Sequence, residues 1–217
     1  MELMKRGMGL ALVMAMVAHP EGSFGQDADF SNEKIWASGT FRTEYVWGIR
    51  SMADGQHYTT QEYDDNVGSC IVKWSYQTGN VVDTLLTSDR AFGDARETFG
   101  GYEFSSDERF VVLTTASEGL YRHSFYANFY VYDFEANEDA RPITDFSLGK
   151  QRLAQLSPAG DKVAFVRENN IFISDLATGA EVQVTDDGMT NAIINGATDW
   201  VYEEEFGDDQ GLFWNGD

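Results

Sequence analysis

Three consecutive carboxylates, Glu203, Glu204 and Glu205, stand inside the octet DWVYEEEF (199–206), directly after two aromatics and in a chain that otherwise reads as strands and turns. Neighbours on a helix point about 100° apart, so three adjacent side chains cannot all face water if Trp200, Tyr202 and Phe206 are buried. At least one carboxylate is then expected to turn inward. Carboxylates held close together repel, and they need a cation or a shared proton. A peptide's free α-ammonium, with three donors and a pKa near 8, is a cation of the right kind. On the residues alone, an acidic surface turn is the simpler explanation of the run. Arg122, between Tyr121 and Phe125 in YRHSF, raises a matching pair of readings. Its guanidinium could hold a peptide carbonyl, or it could stack on a tyrosine at the surface.

Other chemistries find no support. There is no G-x-S-x-G, hence no nucleophile elbow. Gly7-Met8-Gly9 lacks the third glycine of a dinucleotide loop, and His19, His57 and His123 lack metal-ligand spacing. Asp27, Asp29 and Ser31 imitate the opening of a calcium loop, but Asn32 replaces its glycine and Ser38 its closing glutamate. No metal or cofactor is expected. Asp plus Glu outnumber Lys plus Arg by 36 to 15, a formal charge of -21, which repels nucleic acid and anionic membranes.

The elements that must position these residues are β-strands. Aromatics make up 14% of the chain, and 21 glycines accompany only 3 prolines, a mix that favours strands joined by glycine turns. Segments repeat. SSDERFVVL (from Ser105) overlays SPAGDKVAF (from Ser157), and NFYVYDFEANEDARPITD (from Asn128) overlays NIFISDLATGAEVQVTD (from Asn170), with Asp133 matching Asp175. VKWSYQTGNVVDTLLTSD (from Val72) is a third copy, its Thr78-Gly79 answering Thr178-Gly179. A recurrence of roughly 40 to 50 residues is the size of one four-stranded propeller blade, whereas a β-sandwich does not demand such self-similarity. The fold class is therefore all-β, a partial β-propeller of four-stranded antiparallel blades. It holds at most about four blades' worth of residues and is expected to be truncated before closure. Two excursions interrupt the repeat, TASEGLYRHSFYA from Thr115 and the stretch 188–210; such insertions map to loops on one face.

At the N-terminus, Lys5 and Arg6 precede the apolar stretch 7–18 and then His19-Pro20, with small residues at Ser23 and Gly25. That layout reads as a signal peptide over 1–25, cut before Gln26, with residues 26–217 forming the propeller portion. The apolar run is too short to span a bilayer, so no membrane span is expected after its removal, and the mature product is periplasmic or secreted. Cys70 stands alone and cannot form an internal disulfide. Ser31 is placed to cap a short helix bearing Ile35 and Trp36.

TDWVYEEEF, with YRHSF about 80 residues earlier, resembles the N-terminal propeller of the dipeptidyl peptidase IV family, within the prolyl oligopeptidase serine peptidases. The resemblance runs from about Ile35 to the last residue. It implies that a C-terminal α/β-hydrolase domain, missing from these residues along with its catalytic serine, aspartate and histidine, shares a cavity with the propeller. It implies that Glu204 and Glu205 bind the free N-terminus of a peptide substrate, that Arg122 binds a carbonyl of its second residue, and that Glu203 is the outward member. Fixing the ammonium would set where the chain is cut, releasing X-Pro or X-Ala dipeptides. The fragment alone is expected to be inactive, and a homodimer of the full-length protein is compatible with the sequence. The competing expectation is a non-catalytic propeller that binds peptides or partner proteins in the same cavity.

Overall fold

Runs such as KVAFVR and NIFISD, β-branched and aromatic and bounded by polar turns, form antiparallel hairpins throughout the chain. The computed structural model describes residues 30–43 and 47–216. The expected signal peptide, the cut before Gln26 and the calcium-like Asp27 and Asp29 lie outside the described residues. The chain divides into two units, Met1–Tyr45 and Val46–Asp217. In the first, helix α1 (Asn32–Trp36) begins as expected: the Ser31 hydroxyl accepts from the Lys34 N–H at 3.1 Å.

The second unit carries twelve described strands in three sheets, each of four antiparallel strands in sequence order. The first contains β1 (Arg50–Ser51), β2 (His57–Asp64), β3 (Gly68–Ser75) and β4 (Val81–Thr87). The second contains β5 (Gly101–Phe104), β6 (Phe110–Gly119), β7 (Phe125–Asp133) and β8 (Arg141–Pro142). The third contains β9 (Arg152–Leu156), β10 (Lys162–Arg167), β11 (Asn170–Asp175) and β12 (Glu181–Gln183). A short helix, α2 (Ser88–Phe92), joins the first sheet to the second.

The copies found in the sequence coincide with these sheets, down to their turns. Gly79 and Gly179 sit at φ +66° and +70°, the left-handed region that glycine enters freely. Asn137 takes the same place in the second sheet at φ 53°, a position asparagine tolerates better than most side chains. At its start each turn is held by an aspartate or serine: Asp133 Oδ1 accepts from the Glu135 N–H, Asp175 Oδ1 from Ala177 and Thr178, and Ser75 Oγ from Thr78.

The sheets stack face to face. Ile71, Leu86, Tyr102, Val111 and Leu113 form one buried cluster, between the first and second sheets. Val112, Phe129, Val131, Phe165 and Phe172 form another, between the second and third. A central strand is therefore buried on both faces, as in β10, where Val163 to Arg167 are all buried. The outer strand β12 is exposed at every position. Three sheets are seen where the length allowed about four. The segment from Gly211 packs back on the third sheet: it buries Leu212 against Ala164 and Val166, and Trp214 donates to the Gln155 carbonyl.

The insertion from Thr115 was expected to be a loop, yet most of it is strand. β6 runs on to Gly119, with a register shift between Thr115 and Glu118 and with Ala116 at φ 47°. That is a bulge, which bends and twists the hairpin tip instead of ending it. The equivalent turn of the third sheet consists only of Glu168 and Asn169, both at positive φ, the tight two-residue hairpin geometry.

Candidate functional site

The octet forms helix α3 (Trp200–Phe206) within the second excursion. Asp199 caps it, accepting from the Tyr202 N–H at 3.1 Å, and Gly207 ends it at φ 70°. The burial of this helix reverses the usual pattern. Trp200, Val201, Tyr202 and Phe206 are exposed, and its one buried residue is a carboxylate, Glu203, at 1% exposure.

Glu203 Oε1 accepts hydrogen bonds from two consecutive backbone N–H groups, His123 at 2.6 Å and Ser124 at 2.9 Å. Both belong to the bulged hairpin tip of the second sheet. Burial works to raise the pKa of Glu203. The nearby Ser124 hydroxyl, which itself falls outside good hydrogen-bond geometry, and the two N–H donors outweigh it, so the group sits below the usual glutamate value of 4.5. An ionised carboxylate satisfied by two backbone donors is a strong clasp. It fixes α3 against the tip that carries Arg122.

This corrects two expectations. Glu203 is not the outward member of the triplet, and the flanking aromatics are not what forces a carboxylate inward. The cause lies in the hairpin tip: the N–H groups of His123 and Ser124 need acceptors when the tip is covered.

With the clasp closed, Arg122 Nη2 lies 3.0 Å from Glu204 Oε2. Glu204 is largely buried, its side chain 14% exposed, and Arg122 is 69% exposed. Glu205 is exposed. Arg122 and Glu204, far apart in sequence, thus meet at one place, and Glu205 follows on the same helical turn. A guanidinium beside a carboxylate offers donors for a carbonyl and acceptors for a cation within one small region, while the exposed Glu205 pairs with neither Arg122 nor Glu204. With Arg122 mostly in solvent, the pair is screened and contributes only about 0–1 kcal/mol to folding. Among the described residues no cluster of His, Cys, Asp and Glu is arranged to hold a metal ion.

Successive four-stranded antiparallel sheets, with an acidic helix inserted after the third, define a β-propeller, seen here as three blades that do not close. A family model described as "Dipeptidyl peptidase IV (DPP IV) N-terminal region" matches residues 105–217, and the chain belongs to that family. It is similar to the crystal structure of Porphyromonas gingivalis dipeptidyl peptidase 4, with 43% identity and a TM-score of 0.70, covering 83% of this chain and 25% of that one. It is also similar to human prolyl endopeptidase FAP, 32% identical over 203 residues, which is 89% of this chain and 24% of the relative. Probable dipeptidyl peptidase 4 of Aspergillus fumigatus is 34% identical over 166 residues, 76% of this chain and 20% of the relative. The chain therefore spans about a quarter or less of the length of these relatives.

Proposed function

We propose that these residues form the part of an exported serine exopeptidase that grips the free N-terminus of a peptide, so that dipeptides of the X-Pro or X-Ala kind are released. Glu204 and Glu205 accept from the ammonium, and Arg122 donates to a carbonyl of the second residue. Bond cleavage itself belongs to an α/β-hydrolase domain outside these residues. The observation that carries the reading is the 3.0 Å approach of Arg122 to Glu204, which brings both halves of the proposed grip to one place. The exposed aromatic side of α3 is consistent with a segment that borders a cavity shared with a second domain.

The physical logic is that of a ruler. An ammonium bound between carboxylates fixes one end of the peptide, and the carbonyl held by Arg122 fixes its direction. The number of residues that reach the nucleophile then follows from the distance to it. In the full-length protein, Glu204→Ala or Glu205→Ala is expected to lower kcat/KM for a Gly-Pro reporter by at least about a hundredfold, some 2.7 kcal/mol of lost transition-state stabilisation. Unchanged turnover in both variants would overturn the proposal.

A further inference from the structure

Among the described residues, the buried side-chain nitrogens and oxygens that find no hydrogen-bond partner fall on three residues, Ser124, Gln151 and Arg152. They are neighbours in the fold: an antiparallel bridge between Ala127 and Gln151 ties the chain entering β9 to the strand that begins beside Ser124. Arg152 carries the larger consequence. It is 4% exposed, and a buried cation without a partner is strongly unfavourable. The nitrogens without partners are Nε and Nη2, the side-on edge of the guanidinium.

Elsewhere in this protein the same edge grips a carboxylate. Arg96 holds Asp94 through Nε at 3.0 Å and Nη2 at 2.7 Å, and Arg109 holds Asp133 at 3.2 and 2.9 Å. Two parallel N–H donors match the two oxygens of a carboxylate. Beyond that edge, Arg152 lies 6.0 Å from the Tyr126 ring centroid, at the margin of a cation–π contact.

Arg152 lines a cavity of about 360 Å³ together with Ser124, Thr114, Gln155 and Gln210. Ser124 follows Arg122 by two residues, so their Cα atoms are within about 7 Å of each other. The cavity thus adjoins the proposed N-terminus site. Glu103 and Asp209 also line it, but neither forms an ion pair with Arg152. Arg152 lines the cavity while its Nε and Nη2 stay buried, so presenting the side-on edge to a ligand takes a change in the Arg152 side-chain torsions.

We propose that Arg152 and this cavity form a carboxylate-binding subsite beside the N-terminus grip. The carboxylate is either the side chain of the peptide's first residue, a source that rests on the ruler reading, or a small free carboxylate, which does not.

The test uses the full-length protein, Arg152→Met and Arg152→Lys. Two quantities are read: the kcat/KM ratio for Asp-Pro over Asn-Pro reporters, and the rise in Tm on titrating acetate against chloride. A ratio at least tenfold higher in the wild type than in Arg152→Met supports the side-chain source. An equal ratio, with saturable acetate stabilisation that Arg152→Met abolishes, supports the free carboxylate. Equal ratios and equal acetate responses overturn the proposal. Methionine in place of an unpaired buried charge is expected to fold. Should it not, Arg152→Lys, which keeps the charge but cannot present a planar fork, carries both comparisons. Glu204→Ala with the Gly-Pro reporter tests the ruler separately, so the two ideas can fail independently.

Discussion

Replacing Glu203 with alanine removes the acceptor for two N–H donors at 2.6 and 2.9 Å and leaves a buried backbone group at Ser124 without a partner. A hydrogen bond to a charged group contributes about 1.5–3 kcal/mol, and both of these share one oxygen, so the joint loss is about 3 kcal/mol and not their sum. That corresponds to a roughly 150-fold weaker docking of α3 on the hairpin tip, since 1.4 kcal/mol is tenfold. Arg122 rides on that tip and Glu204 on that helix, so kcat/KM of the full-length protein for a Gly-Pro reporter is expected to fall about 10- to 100-fold. Glutamine keeps an acceptor oxygen and loses only the charge assistance, about 1 kcal/mol, for a loss near fivefold. Amide hydrogen exchange reads the clasp directly: protection of His123 and Ser124 should drop in Glu203→Ala before global stability changes. Because the folded pKa of Glu203 lies below 4.5, its contribution is complete above that ordinary value and disappears only as pH falls through the lowered one. The clasp is therefore expected to be constant from about pH 5.5 to 8. Glu203→Ala with wild-type protection at both amides and kcat/KM within twofold would refute this reasoning.

Two further outcomes concern the blades. Gly68 opens β3 at φ +81°, where a Cβ would lie 2.4 Å from the Ala95 carbonyl oxygen and 2.6 Å from Ser88 Cβ. Gly68→Ala is expected to cost about 3 kcal/mol, from backbone strain and displaced neighbours, and to lower Tm by roughly 5–10 °C in a thermal melt; a change below 2 °C would contradict the packing. Arg167, 8% exposed at its side chain, binds Glu181 through Nη2–Oε1 at 2.6 Å and Nη1–Oε2 at 3.1 Å, donates to Thr144 Oγ1 and lies over the Phe172 ring. Glu181→Ala strands that charge and is expected to destabilise by about 3 kcal/mol, while Arg167→Met with Glu181→Leu recovers most of the loss in denaturant unfolding. Burial opposes ionisation of Glu181, but the Arg167 and Thr144 hydrogen bonds outweigh it and hold its pKa below the ordinary value. The pair's contribution is thus present above about pH 4.5 and lost in acid.

The blades were readable in the sequence because each repeat carries its own turn chemistry. Asp133 and Asp175 start matching turns, and Gly79, Asn137 and Gly179 all supply the left-handed residue. The meeting of Arg122 with Glu204 was foreseen only through the family resemblance, since nothing in spacing alone brings together residues on a hairpin tip and a later insertion. That one carboxylate turns inward was legible, but that it is Glu203 was not. Polarity places Trp200, Tyr202 and Phe206 inside, yet they are exposed, and the groups that draw Glu203 in are backbone N–H donors, which carry no side-chain signature. Arg152 was hidden for a related reason. In KQRLAQLS it reads as a polar strand end, and its burial follows from the bridge between Ala127 and Gln151.

The grip on a free N-terminus is tested most directly by comparing Gly-Pro and N-acetyl-Gly-Pro reporters on the full-length protein. Acetylation removes the positive charge and two of the three donors while leaving the scissile bond untouched. Turnover of the acetylated reporter should be lower by at least about a hundredfold, or 2.7 kcal/mol, with Glu204→Ala erasing most of that difference by losing activity only on the free amine. Equal kcat/KM for the two reporters on the wild-type protein would contradict the account.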